Sequence, residues 1–301
     1  MKRIIEISTP GTGLAVRNGL LHIVPPGTPG ADVPLDDIGS ILFSESAVTL
    51  SGAVVASLAE RCVPIIHCAK NYLPSAVTWP VCAGEGVCQT FERQMLLSKP
   101  LQKQLWQQLV QAKLNGQADV LRHLGREEAA GEVAAMAGRV RSGDPGNVEA
   151  RAAARFWRAV ALFERRDRKA ADANGLFNYA YAIVYAGIAR ALSAAGLSPH
   201  IGLKHRSARN PFCLASDVME PYRFLGDLAA VDAAKDFEAA GLSPVVKKAV
   251  IASVCARPFR LGGVRHTFAQ ASFLTASSLK TSILTGEDVL LLPEGLVREP
   301  A

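Results

Sequence analysis

Thr90-Phe-Glu-Arg-Gln94-Met-Leu-Leu-Ser98-Lys99-Pro100-Leu101-Gln-Lys-Gln-Leu-Trp-Gln-Gln-Leu-Val-Gln-Ala-Lys-Leu114 is where the hydrophobic period of the chain changes. Upstream, short apolar runs are cut by turn residues; from here apolar side chains recur every three or four positions, the spacing of a helix with one buried face. Gln94–Ser98 and Leu101–Leu114 are predicted helices, with Pro100 where a helix favours it. Working back, Lys2–Ile7 is predicted as a strand. Gly13–Val16 and Leu20–Val24 form a hairpin across Asn18-Gly19, a pair that accepts the positive φ of a two-residue turn. Ile38–Phe43, Ala47–Leu50 and Val63–Cys68 are further strands, with a short helix over Ser51–Glu60. Working forward, Asp119–Leu124, Glu127–Gly138, Val148–Arg166, Leu176–Ala195, Phe212–Leu225, Asp232–Ala240, Ser243–Ala256 and His266–Leu284 are predicted helices. Asn147 is expected to cap the helix that follows it, and the terminus from Glu287 is expected to be loose. The fold class is α+β: a small β-rich domain over residues 1–85, then a larger all-α domain over 86–301.

A chain of 301 residues, 49% hydrophobic and 20% charged, has the make-up of a soluble globular protein. Its longest apolar stretch, Leu176–Leu192, contains Asn178 and Arg190 and falls short of the roughly 20 residues a bilayer requires, so a core helix is expected and no membrane. No charged-then-apolar leader opens the sequence. The expectation is a cytoplasmic protein with reduced thiols at Cys62, Cys68, Cys82, Cys88, Cys213 and Cys255. Charge is unevenly placed: residues 1–80 hold five basic and six acidic residues, a balance of −1, so the rest carries +7 and the net charge is +6. A surface for a polyanion belongs to the second part.

Three pieces of sequence carry chemistry. At 100° per residue, Glu149 shares a helix face with Ala153, Phe156, Val160 and Phe163, a place where a lone carboxylate is costly without a cation. Asp217-Val-Met-Glu220 sets two carboxylates three residues apart, and Pro221 loosens the helix just after them. Arg223 stands within reach of Glu220 or of a phosphate. His205 lies between Lys204 and Arg206, whose charges are expected to keep the imidazole neutral and available as a ligand. Each piece alone has an ordinary explanation: a first-turn Glu, a solvated acidic face, a surface loop. Together they form a nitrogen and oxygen ligand set suited to Mg²⁺ or Mn²⁺ rather than Zn²⁺.

The run Gly202-Leu-Lys-His205-Arg…Asn210-Pro-Phe…Leu214-Ala-Ser-Asp217-Val-Met-Glu220-Pro-Tyr-Arg223 resembles the signature of the CRISPR-associated protein one family, the spacer integrases. Asn147-Val-Glu149 through Trp157 resembles that family's earlier metal-ligand helix, and Asn174 through Tyr181 its buried helix. The resemblance implies metal ligands at Glu149, His205 and Glu220, with Asp217 as a supporting acid. It implies a homodimer built through the N-terminal domains, and a higher-order complex with CRISPR-associated protein two. Two positions depart from the pattern: Lys204, and Lys113-Leu-Asn-Gly-Gln117, an imperfect Lys-Ile-x-Asn-Gln. Neither is expected to touch the ligands.

The activity implied is a metal-dependent DNA integrase or endonuclease. The 3′-hydroxyl of a double-stranded DNA fragment attacks a phosphodiester of a CRISPR repeat, a transesterification. Lys204, Arg206, Arg223, Lys247 and Lys248 are candidate phosphate contacts. Two other readings use the same residues: a nuclease on branched or single-stranded DNA with water as attacker, and a non-catalytic nucleic-acid scaffold.

Overall fold

The computed structural model describes residues 3–70, 72, 74–81, 86–161, 173–205, 210 and 212–296. The first part is β-rich. β1 (Arg3–Ile7), β5 (Ile38–Phe43), β7 (Ile65–Cys68) and β8 (Pro74–Thr78) make one sheet in that order, parallel except for β8. β4 (Ala31–Pro34), β3 (Leu20–Val24), β2 (Thr12–Arg17) and β6 (Val48–Leu50) make the other. Asn18 and Gly19 turn the β2–β3 hairpin with φ of 50° and 75°, as that dipeptide predicts. α1 (Gly52–Ala59) lies on the crossover that parallel β5 and β7 require.

All six residues of β5 are buried, Ser40 among them, as expected of a strand covered on both faces. Side chains alternate between two cores: Ile41, Phe43 and Ile65 pack with Leu14, Leu21 and Val54, whereas Leu42 and Ile66 join the core of the helical part. A polar clamp reinforces this junction. Glu6 of β1 accepts from Tyr179 Oη at 2.7 Å, lies 3.0 Å from Lys247 Nζ, and takes the Ser44 hydroxyl.

The second part is helical: α2 (Val87–Met95), α3 (Lys99–His123), α4 (Glu127–Ala137), α5 (Val148–Val160), α6 (Ala173–Ala195), α7 (Cys213–Met219), a 3₁₀ turn (Glu220–Tyr222), α8 (Arg223–Ala240), α9 (Pro244–Ala256) and α10 (Phe268–Thr285). α6 is the buried axis expected of its composition, packed by α8 and α10. No described helix is long and apolar enough to cross a membrane.

Several expectations change. The helices expected at Leu101–Leu114 and Asp119–Leu124 are one helix, α3, because Gly116 is a point of close packing and not a break. A Cβ there would sit 2.8 Å from the Phe224 ring. The helix expected over Phe212–Leu225 is divided at Pro221 by the 3₁₀ turn, and its end runs on into α8. The terminus is not loose throughout: β11 (Pro293–Leu296) pairs with β9 (Phe259–Leu261), which also pairs with β10 (Val264–His266), and Leu296 N donates to Asp119 at 2.9 Å. The expected extension of α5 through Phe163 to Arg166 lies outside the described residues. Cys62 is disulfide-bonded, against the expectation of reduced thiols throughout, while Cys68, Cys88, Cys213 and Cys255 are thiols.

Candidate functional site

Glu149 stands in the first turn of α5. The chain enters that helix through left-handed backbone at Asp144 (φ 48°) and Asn147 (φ 49°). Asp144, and not the side chain of Asn147, caps it, accepting from Val148 N at 2.8 Å and Glu149 N at 3.0 Å. The Glu149 carboxylate is thereby aimed at α3, where its Oε1 lies 2.5 Å from Lys113 Nζ.

Glu220 arrives from the 3₁₀ turn and meets the same ammonium, its Oε2 2.6 Å from Lys113 Nζ and 2.9 Å from Arg223 Nε. Arg223 is further held over the Tyr181 ring, 4.8 Å from its centroid. Burial alone would push the Glu220 pKa up. The charges of Arg223 and Lys113 overcome it and hold the group at about 2. Closeness is not good hydrogen-bond geometry, however. Glu220 Oε2 and Arg223 Nε are both buried without a well-directed hydrogen bond.

Asp217 and Glu220 do not converge as their spacing suggested. Asp217 is wholly buried and turns the other way, into the loop before α7. Its Oδ2 accepts from Leu203 N at 2.6 Å and Lys204 N at 3.1 Å; its Oδ1 accepts from His205 N at 3.1 Å and meets His205 Nδ1 at 2.6 Å. Gly202 permits this wrap, since a Cβ there would lie 2.8 Å from Asp217 Oδ2 and 2.6 Å from His205 O. Asp217 thereby holds both the backbone of residues 203–205 and the imidazole of His205. With Nδ1 directed at Asp217, Nε2 is the nitrogen left for a ligand.

The expected effect of the neighbouring cations on His205 is reversed. Its pKa is raised, first by the hydrogen bond to Asp217, against the opposing effect of burial, and further by the charges of Asp217, Glu220 and Glu149. Both glutamates thus lie within electrostatic reach of the imidazole, whose ring also meets the edge of Trp106 at 5.7 Å between centroids. Glu149 and Glu220 converge on one point, and the charges of both reach His205, which Asp217 holds. Lys113 occupies that point, and among the described residues no three His, Cys, Asp or Glu side chains are drawn together tightly enough to enclose an ion.

Lys113 is the residue that sequence reasoning missed. Its signal was present in Lys113-Leu-Asn-Gly-Gln117, but that segment was expected to stand clear of the ligands; instead its lysine touches two of them. Among the expected phosphate contacts, Lys204 is exposed, its Nζ 3.2 Å from Gly143 O. It lines a cleft of about 170 Å³ with Lys99, Gln102, Lys103 and Trp106, and no carboxylate is among the described residues of that lining. Lys248 is exposed, whereas Lys247 is buried in the clamp on Glu6 and Arg223 is committed to Glu220. Arg206 lies outside the described residues.

Residues 5–238 match the family described as CRISPR associated protein Cas1. This chain belongs to the Cas1 family. It is 38% identical over 201 residues, 66% of each chain, to the CRISPR-associated endonuclease Cas1 of Neisseria meningitidis serogroup C (strain 8013). It is 27% identical over 250 residues, 74% of each chain, to the protein of the same name from Hyperthermus butylicus. Among solved structures, a casposase bound to integration product superposes with a TM-score of 0.80 at 18% identity, covering 96% of this chain and 92% of that one. A CAS1 protein from Thermotoga maritima gives 0.74 at 14% identity, covering 96% and 99%. At such identities the likeness is one of fold. Membership in the Cas1 family supports nuclease or integrase activity in general terms.

Proposed function

We propose that this Cas1-family chain is a divalent-metal-dependent DNA integrase, and that it inserts DNA fragments into a CRISPR array by transesterification. The observation that carries the reading is the meeting of Glu149 and Glu220, from separate elements, on a single cation at 2.5 and 2.6 Å. Glu149, Glu220 and His205 would hold Mg²⁺ or Mn²⁺; two carboxylates that already meet on one cation, with an imidazole, are a donor set that suits either ion. When bound, such an ion polarises the scissile phosphate and offsets the charge that develops on the leaving 3′-oxygen. The rest is done by the chain. Asp217 fixes the tautomer and direction of His205. Lys204, with Lys99 and Lys103 around the adjoining cleft, offers cations to the strand, and Arg206 and Lys248 are proposed as further phosphate contacts. Arg223 keeps Glu220 ionised. The attacking hydroxyl belongs to the DNA, so no serine or cysteine is assigned as nucleophile.

The division near residue 85, the homodimer through the N-terminal part and the companion protein are proposed with it. One solved relative of the same fold is described as a Cas6-RT-Cas1–Cas2 complex. Hydrolysis by the same residues is the second reading, favoured by the endonuclease name of the Neisseria relative. Incubation of the protein, with and without its companion, with a fragment bearing a 3′-hydroxyl and a supercoiled repeat plasmid separates the two. Covalently joined product is expected; nicks alone would favour hydrolysis. Loss of joining in Glu149→Ala and Glu220→Ala with DNA binding retained is expected; unchanged joining in both would show these carboxylates to be structural, and absence of joining and nicking in the unmodified chain would leave only a scaffold.

A further inference from the structure

Lys113 is 8% exposed and projects from the buried face of α3 into the gap between two carboxylates. A lysine is seldom buried without a reason of this kind. Two carboxylates this close repel one another strongly unless a cation stands between them. Glu220 keeps Arg223 as a second partner, but Lys113 is the one cation paired with Glu149 among the described residues. We infer that the Lys113 ammonium is a built-in substitute for the divalent ion: it holds Glu149 and Glu220 in register when no metal is bound, and it must leave them for a metal to enter.

This inference rests on the metal site proposed above, and the exclusion is steric and electrostatic. The two glutamate oxygens sit at 2.5 and 2.6 Å from Nζ, so they already define a pocket one cation wide. A Mg²⁺ ion needs oxygens at about 2.1 Å and would place a double charge against the ammonium. Occupancy is therefore exclusive, and the apparent metal affinity is lowered by the fraction of time the lysine is in place. The arrangement keeps the site assembled before loading and makes the metal compete for entry.

The test uses the unmodified chain first. The protein is treated briefly with an amine-acetylating reagent with and without saturating Mn²⁺, and acetylation of each lysine is read by peptide mass spectrometry. Exposed Lys204 and Lys248 serve as internal standards. Acetylation of Lys113 is expected to rise about tenfold on Mn²⁺ binding, as an amine released from a buried pair regains solvent. Mn²⁺ binding, followed by electron paramagnetic resonance of the free ion, is expected to be about tenfold tighter in Lys113→Met, and no tighter in Lys113→Arg, which keeps the competing charge. Unchanged acetylation of Lys113 with Mn²⁺ bound, or a Lys113→Met variant that binds no better, overturns the inference. The metal reading itself is judged separately, by whether Glu149→Gln and Glu220→Gln lose the Mn²⁺ that the unmodified chain binds.

Discussion

His205 Nδ1 and Asp217 Oδ1 lie 2.6 Å apart, and the carboxylate that makes this contact also receives three backbone N–H groups from residues 203–205. One buried anion thus sets both the path of the loop and the direction of the imidazole. The histidine is held chiefly through that anion, with the edge of Trp106 against its ring, and its side chain remains 39% exposed.

Asp217→Asn keeps the shape but sets an amide against at least one N–H donor. A loss of about 3 kcal/mol is expected, because a buried group that satisfied four donors then leaves some unpaired. Urea unfolding measures this. Metal affinity should fall about 10- to 100-fold, the usual effect of removing the partner that orients a ligand histidine. An Asn variant with unaltered unfolding would mean that the loop is held by something else.

Two pH windows follow from the same site. The Glu220 pKa is depressed from 4.5 to about 2. Its ionised pairing therefore contributes stability that is full above the unfolded value and is lost as pH falls from about 4.5 toward 2. The His205 pKa is raised above 6.5, so its contribution is full below the unfolded value and is lost as pH rises through the folded one. Urea midpoints measured from pH 3 to 9 should fall less steeply at the acid end for Glu220→Gln than for the unmodified chain. Divalent-metal affinity should rise in the second window, as Nε2 loses its proton.

Local signals in the sequence were read well where one residue type has one physical use. Asn18-Gly19 accepts two positive φ angles, and the bounds of β3 and β5 follow from short, mostly apolar runs flanked by turn residues. Pro221 marked a change of helix type, and Glu149 and Glu220, singled out in separate motifs, both reach Lys113. What escaped depends on partners distant in the chain. Gly116 looks like a break until Phe224 is seen against it. Lys113 looks like part of a solvated helix until two glutamates meet it. β9 and β10 are three residues each, too short for a period of two to register. Lys247, read as a phosphate contact, is buried against Glu6 from the opposite end of the sequence.

Lys247 has side-chain exposure of 10% and Glu6 of 8%, so neither is screened by water. Lys247→Met strands the Glu6 charge and Glu6→Gln strands the ammonium; each is expected to destabilise by about 3 kcal/mol. The double variant should cost less than the two together, the mark of a direct pair. DNA affinity, measured below the unfolding transition, is expected to change little in Lys247→Met and to fall with a shallower salt dependence in Lys103→Glu or Lys204→Glu. A salt slope altered by Lys247→Met would show that this lysine reaches phosphate after all.

Gly116→Ala sets two opposing effects against each other. In a helix interior, alanine in place of glycine favours folding by about 1 kcal/mol. Here the new Cβ would sit 2.8 Å from Phe224 Cδ1 and 3.0 Å from Phe224 Cβ, and the latter cannot swing away as a ring edge can. Phe224 is 1% exposed and enclosed by the core, so relief requires α3 and α8 to separate. Overpacking of this kind costs about 1–3 kcal/mol and outweighs the helical gain. A net loss of stability is expected in thermal unfolding, and partial recovery in Gly116→Ala with Phe224→Leu. The separation also bears on the site, because Lys113 lies one turn before Gly116 on α3 and Arg223 immediately precedes Phe224. Gly116→Ala should therefore weaken the Lys113–Glu220 contact and raise acetylation of Lys113 without metal, a readout that a purely global loss of stability, compared at equal unfolded fraction, would not produce.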